Sequence, residues 1–153
     1  MSIRLASSAF PEGAVIPKRH AGDGKNLSPA LSWQKSVMAV LSYAILMEDP
    51  DAPSGTFTHW ILFNIPPQAD HLPEGVPVHP DVPGIGRQGS NDTRTNGYYG
   101  PCPPPGKPHR YFFKIFALDA MLDLPSGCSA AQLRQAMQSH LLETGSLMGT
   151  YHR

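Results

Sequence analysis

Three runs of β-branched, aromatic and large aliphatic residues constrain this chain more than anything else in it. They are AVLSYAILM (39–47), THWILFNI (58–65) and RYFFKIFAL (110–118), each bounded by Pro, Gly, Asn or Asp. Runs of this length and composition read as strands, and three of them with turn signals at their ends read as the central strands of one sheet. If the first two are antiparallel neighbours joined by the turn between them, Asp49 and His59 meet at one sheet edge.

The rest of the chain is punctuated too often for long helices, with 17 prolines and 14 glycines in 153 residues. One segment, SAAQLRQAMQSHLL (129–142), predicts a helix. Ser129 and Gln132 have capping-box spacing, Leu133, Ala136, Met137, His140 and Leu141 share a face, and Gly145 offers a stop. Residues 65–97 are crowded with Pro, Gly, Asn and Asp and show no period, which predicts a long functional loop and makes 66–97 the candidate lid of any site. No repeat or linker divides the chain, and a chain this long can bury roughly 70% of its surface. The expectation is one mainly β domain over residues 1–153 with one or two short helices.

Charge excludes some partners. Lys plus Arg and Asp plus Glu stand at 12 each, so there is no basic field for nucleic acid or anionic lipid, and recognition of charge has to be local. Cys102 and Cys128 have no CxxC spacing and read as free thiols. No apolar segment reaches the ~18 residues of a spanning helix, and the N-terminus lacks the pattern of a signal peptide, so the default expectation is a cytoplasmic protein that is not integral to a membrane.

Polar clusters sit at the ends of the strand runs: DPDAP (49–53), HW (59–60) and GYYGPCPPPGKPHRY (97–111). A carboxylate and two imidazoles held at strand ends make a small preorganised polar pocket, because proline fixes the backbone around them. Each piece also has a plainer reading. DPDAP fits an ordinary turn, His59 fits a satisfied core histidine, and PCPPPGKP fits a stiff or partner-binding polyproline segment. Met38, Met47 and Met121 fit gap fillers near the core.

Taken in order, NLSPALSW (26–33), DPDAP, HW, the 97–118 segment and the closing GTYHR (149–153) resemble the phosphatidylethanolamine-binding protein family, which includes Raf kinase inhibitor protein. Only SGTFT separates DPDAP from HW, a feature of the compact prokaryotic branch. The resemblance implies an antiparallel β-sandwich on a central sheet, with an anion pocket lined by Asp49, Ala52, Pro53, His59, Tyr98, Pro104, His109 and Tyr111. Asp51 and Arg110 would support its loops. It implies a small anionic or phosphorylated ligand such as phosphate or a phosphoethanolamine head group, a kinase or protease as protein target, and homodimers in some members; no cofactor or metal is expected, since metal-ligand spacings are missing. Two departures stand out: QKSVMAV (34–40) replaces the usual Gly/Pro turn, and the chain closes at GTYHR without the C-terminal helix of eukaryotic members.

The expectation is therefore a binding protein without catalytic residues. The alternative is a metal-dependent or acid/base hydrolase using Asp49, His59 and His109. No GxSxG elbow and no HxxxH, HxH or CxxC spacing favours that alternative.

Overall fold

The computed structural model describes residues 2–153. Its strands are β1 (Leu5–Ala6), β2 (Leu31–Trp33), β3 (Ser42–Asp49), β4 (Phe57–Ile65), β5 (His71–Leu72), β6 (Asp81–Val82), β7 (Gly86–Gln88), β8 (His109–Leu118) and β9 (Leu141–Tyr151). The helix α1 spans Ala130–Met137, and a single 3-10 turn covers Lys18–His20. Among the described residues, the strands form an antiparallel six-stranded sheet in the order β6-β7-β4-β3-β8-β9 and a three-stranded sheet in the order β1-β2-β5.

The three apolar runs become β3, β4 and β8, side by side in the large sheet. Every residue of β3 is buried because both of its faces are covered. Tyr43, Ile45 and Met47 pack into the core shared with Leu31, Trp33 and Leu72 of the small sheet. Ala44 and Leu46 pack on the opposite face with Leu133 and Met137 of α1. A strand with two covered faces reads as a continuous apolar run rather than as an alternation. The mainly β sandwich is thus as expected, with α1 as a third layer.

The helix is shorter than its sequence predicts. The capping box is present: the Ser129 side chain accepts from Gln132 N at 3.1 Å, and Gln132 Oε1 accepts from Ser129 N at 2.9 Å. The helix ends at Met137, however, and Leu141 already opens β9. Gly145 is no stop. It lies within β9 opposite Ile115, where a Cβ would stand 2.0 Å from the carbonyl oxygen of Ile3. Gly149 plays the same part, since a Cβ there would come within 2.6 Å of Ile16. These glycines let the N-terminal segment lie against β9, with parallel bridges Ser2–Thr144 and Val15–Thr150 that cover part of this edge.

The segment 66–97 is also more regular than expected. It contributes β5, β6 and β7, and a buried amide replaces the backbone donors that its prolines lack. Gln88 Nε2 donates to Pro77 O at 2.7 Å and His79 O at 2.8 Å, while its Oε1 accepts from Trp60 Nε1 at 2.7 Å. Asn91 similarly donates to Gly97 O at 2.9 Å. Among the described residues no helix is long and apolar enough to cross a membrane.

Candidate functional site

One extra residue decides which way His59 points. Along β3 and β4, Met47 pairs with Trp60 but Glu48 pairs with Thr58, so His59 is left over as a β-bulge. A bulge re-aims the side chain that it carries. From this point Phe57 pairs with Asp49, and strand alternation puts Asp49, Tyr111 and His109 on the face that carries Met47 and Phe113. Glu48 points the other way, toward Lys114 at 2.9 Å and Arg134. Asp49, Ala52, Pro53, Phe57 and His59 from the β3–β4 hairpin line one side of a cavity of about 290 Å³, and His109 and Tyr111 of β8 line another. Tyr99, Cys102, Pro103 and Pro104 close it from the proline-rich segment, and Thr93 reaches it from the long loop.

Hydrogen bonds fix both imidazoles. His59 Nδ1 donates to the carbonyl of Tyr99 at 2.6 Å. His109 Nδ1 bonds Asp49 Oδ2 at 2.7 Å, and the other Asp49 oxygen accepts from Asp51 N at 2.7 Å. The carboxylate is thereby engaged at both oxygens and holds the proton of His109 on Nδ1. Each ring is left with its Nε2 for a ligand. Aromatic walls restrict the rings further: His59 stacks on Tyr99 at 5.7 Å and meets the edge of Tyr111 at 5.2 Å. Behind the hairpin, Arg110 clasps Asp51 through its backbone N, Nε and a terminal guanidinium nitrogen, each at 2.9 Å.

Burial sets the charge of these groups. His59 is 3% exposed, and desolvation lowers its proton affinity below the usual histidine range despite the pull of the Tyr99 carbonyl and of Asp49. Burial, together with the Asp49 charge, pushes the Tyr111 hydroxyl well above its ordinary range. Asp51 is held down at about 2, chiefly by its bonds to Arg110.

The sequence expectation placed eight residues here, and Asp49, Ala52, Pro53, His59, Pro104, His109 and Tyr111 do line the cavity. Tyr98 does not. It is buried, its ring meets Trp60 edge-on at 5.4 Å, and its hydroxyl donates to His20 O at 2.7 Å, while its neighbour Tyr99 faces the cavity. A loop has no period to tell adjacent tyrosines apart. Phe57, Thr93, Cys102 and Pro103 were also missed. Phe57 was within reach, since it precedes His59 by two residues on a strand and their rings lie 4.7 Å apart. Among the described residues, no three His, Cys, Asp or Glu side chains come together in a way that could hold a metal ion.

Comparison with known proteins places the chain in a family. Residues 6–152 match the family described as phosphatidylethanolamine-binding protein. A UPF0098 protein of Methanothermobacter thermautotrophicus is 46% identical over 151 residues, covering 99% of both chains. One from Aquifex aeolicus is 44% identical over 99% of this chain and 89% of its own. Among solved structures, a phosphatidylethanolamine-binding protein homologue from Chlamydia trachomatis superposes with a TM-score of 0.89 at 37% identity, over 99% of this chain and 98% of its own. Escherichia coli YbcL, described as a new member of the mammalian PEBP family, gives 0.92 at 29% identity over 100% and 99%. The likeness runs over nearly the whole chain, and the chain belongs to the phosphatidylethanolamine-binding protein family.

Proposed function

We propose that this chain is a binding protein that holds a small anion or phosphoryl group in the cavity between His59 and His109, without chemical turnover. The observation that carries this reading is the shared commitment of the two imidazoles: each Nδ1 is bonded within the protein, to Tyr99 O and to Asp49. When protonated, both Nε2–H groups become charge-assisted donors to one anion. The cavity volume of about 290 Å³ suits a head group or a single phosphorylated side chain rather than a large ligand.

The family name points the same way, because phosphatidylethanolamine carries a phosphoryl group. A phosphorylated residue on a partner presents the same chemistry, and regulation of a kinase or protease would follow from holding such a residue. Crystals grown in sulfate test the reading. The expected density is a sulfate with oxygens about 3 Å from Nε2 of both His59 and His109. An empty cavity at saturating sulfate, with sulfate bound elsewhere, would contradict it.

A further inference from the structure

We propose that Arg94, at the mouth of the cavity, selects ligands that carry a second negative charge beside the group held between His59 and His109. The inference rests on the anion-binding reading given above and deepens it by naming the ligand class: a compact molecule with two anionic groups a few bonds apart.

The observation that carries it is an arginine in a backbone conformation that arginine disfavours. Among the described residues, three other than glycine have positive φ: Asn26 at 58°, Asn64 at 55° and Arg94 at 66°. Asparagine tolerates the left-handed region better than most residues, whereas a long side chain there crowds its Cβ against the following carbonyl. Both asparagines also serve the fold. Asn26 Oδ1 accepts from Gly100 N at 2.7 Å. Asn64 Nδ2 donates to Leu122 O at 2.9 Å, and its Oδ1 accepts from Leu122 N at 2.8 Å. Arg94 is different. Its backbone N donates to Asn91 O at 2.9 Å, but the exposed guanidinium has no partner among the described residues. A strained residue whose side chain the fold does not use points to a role outside the fold.

The loop holds Arg94 beside the cavity. Arg94 follows Thr93, which lines it. The loop is anchored next to His59, since Asp92 N donates to Thr58 O at 2.9 Å and Asp92 Oδ2 accepts from Thr58 N at 2.8 Å. The Asp92 carboxylate is thus committed to β4 rather than to Arg94. From within, buried Asn91 fixes the turn, accepting from Thr93 N at 2.9 Å and donating to Thr95 Oγ1 at 3.1 Å and Gly97 O at 2.9 Å. A rigid loop therefore sets the Arg94 Cα about 3.8 Å from the Cα of a wall residue. No described residue holds the guanidinium away from the mouth. Other arginines nearby are engaged: Arg110 clasps Asp51, and Arg153 Nε donates to Pro103 O at 2.6 Å.

Arginine suits this task. Its guanidinium keeps its charge throughout the working pH range and offers paired N–H donors that match the oxygens of a carboxylate, sulfonate or phosphoryl group. The two imidazoles meet one anionic group inside the cavity, and a second group attached to it would emerge beside Thr93 and Arg94. A ligand with a single charge gains nothing from Arg94.

Equilibrium binding of 1-propanesulfonate and 1,3-propanedisulfonate to the native protein, followed by NMR titration, tests the assignment, since both ligands keep a constant charge. Two equivalent ends favour the disulfonate about twofold by statistics, and an exposed ion pair adds up to about fivefold, so the wild-type ratio should be about tenfold. Arg94→Gln should reduce it to about twofold. Lys107→Gln removes an exposed cation from the neighbouring proline-rich loop and controls for net charge, so its ratio should stay near that of the wild type. Arg94→Gly should lower the ratio as Arg94→Gln does, without lowering the urea midpoint, because glycine adopts this conformation without strain. A wild-type ratio of about twofold, an equal loss in Lys107→Gln, or a lowered midpoint in Arg94→Gly would overturn the proposal. Propanesulfonate that shifts the His59 and His109 signals, together with a merely statistical ratio, defeats the Arg94 assignment alone. Failure of both ligands to enter the cavity defeats the anion-binding reading and this one with it.

Discussion

His59 and His109 reach one cavity by different means, the first through a bulge in β4 and the second as the first residue of β8. Asp49 connects the two strands chemically through its 2.7 Å bond to His109. Its effect on an anion is a contest between two terms. As a charge, the carboxylate repels the ligand; as a hydrogen-bond acceptor, it keeps a hydrogen on His109 Nδ1 and aims Nε2 outward. The second term should win, because both Asp49 oxygens are turned to internal partners. Asp49→Asn is therefore expected to weaken sulfate binding by about tenfold at neutral pH, on the scale of one charge-assisted bond. Calorimetry decides, and tighter binding in Asp49→Asn would show that the carboxylate acts only as a repelling charge. At this scale the sequence was legible wherever a residue closes or opens a strand run, as Asp49, His109 and Tyr111 do. The bulge was not, since one surplus residue leaves no mark in a run that is apolar on both faces. Tyr98 and Tyr99 were exchanged for the related reason that a loop carries no alternation.

The elements were legible in proportion to how much their own residues decide them. β3, β4, β8 and the start of α1 follow from apolar runs and a capping box, and all were expected. β9 was missed because its glycines and hydroxyl residues answer to the N-terminal segment lying against it, a contact far away in sequence. Gly145→Ala should accordingly destabilise the fold by about 1–3 kcal/mol through overpacking, although alanine is otherwise a mild substitution. The urea midpoint measures it, and an unchanged midpoint would mean that the N-terminal segment does not sit against β9 so closely. Ser129→Ala removes the cap of α1 and should cost about 1 kcal/mol in the same assay. In the 66–97 segment the order comes from the Gln88 amide rather than from a pattern. Gln88→Leu leaves Trp60 Nε1 and two carbonyls without their partner, so a loss of at least about 1–3 kcal/mol is expected. A neutral result would show that the loop is held by other contacts.

Over the whole molecule, the site is the open end of a buried face: the side-chain alternation that fills the core with Met47 and Phe113 continues outward to Asp49, Tyr111 and His109. Folding thereby buries an imidazole, and stability must depend on pH. The unfolded chain binds a proton at His59 near 6.5, whereas the folded protein does so only at lower pH. Between those two values the unfolded state holds more protons. The His59 contribution is therefore complete above about 6.5 and is lost as pH falls through the folded value. An anion bound at His59 Nε2 would work against this loss, because it favours the protonated ring. Sulfate calorimetry between pH 6 and 8 measures that coupling most directly, since sulfate keeps its charge throughout while a phosphate monoester changes charge near pH 6. Affinity is predicted to rise as pH falls, with His59→Ala and His109→Ala each weaker by about 1.5 to 3 kcal/mol. Sulfate affinity that is flat across this range and unchanged in both variants would contradict an anion held between His59 and His109.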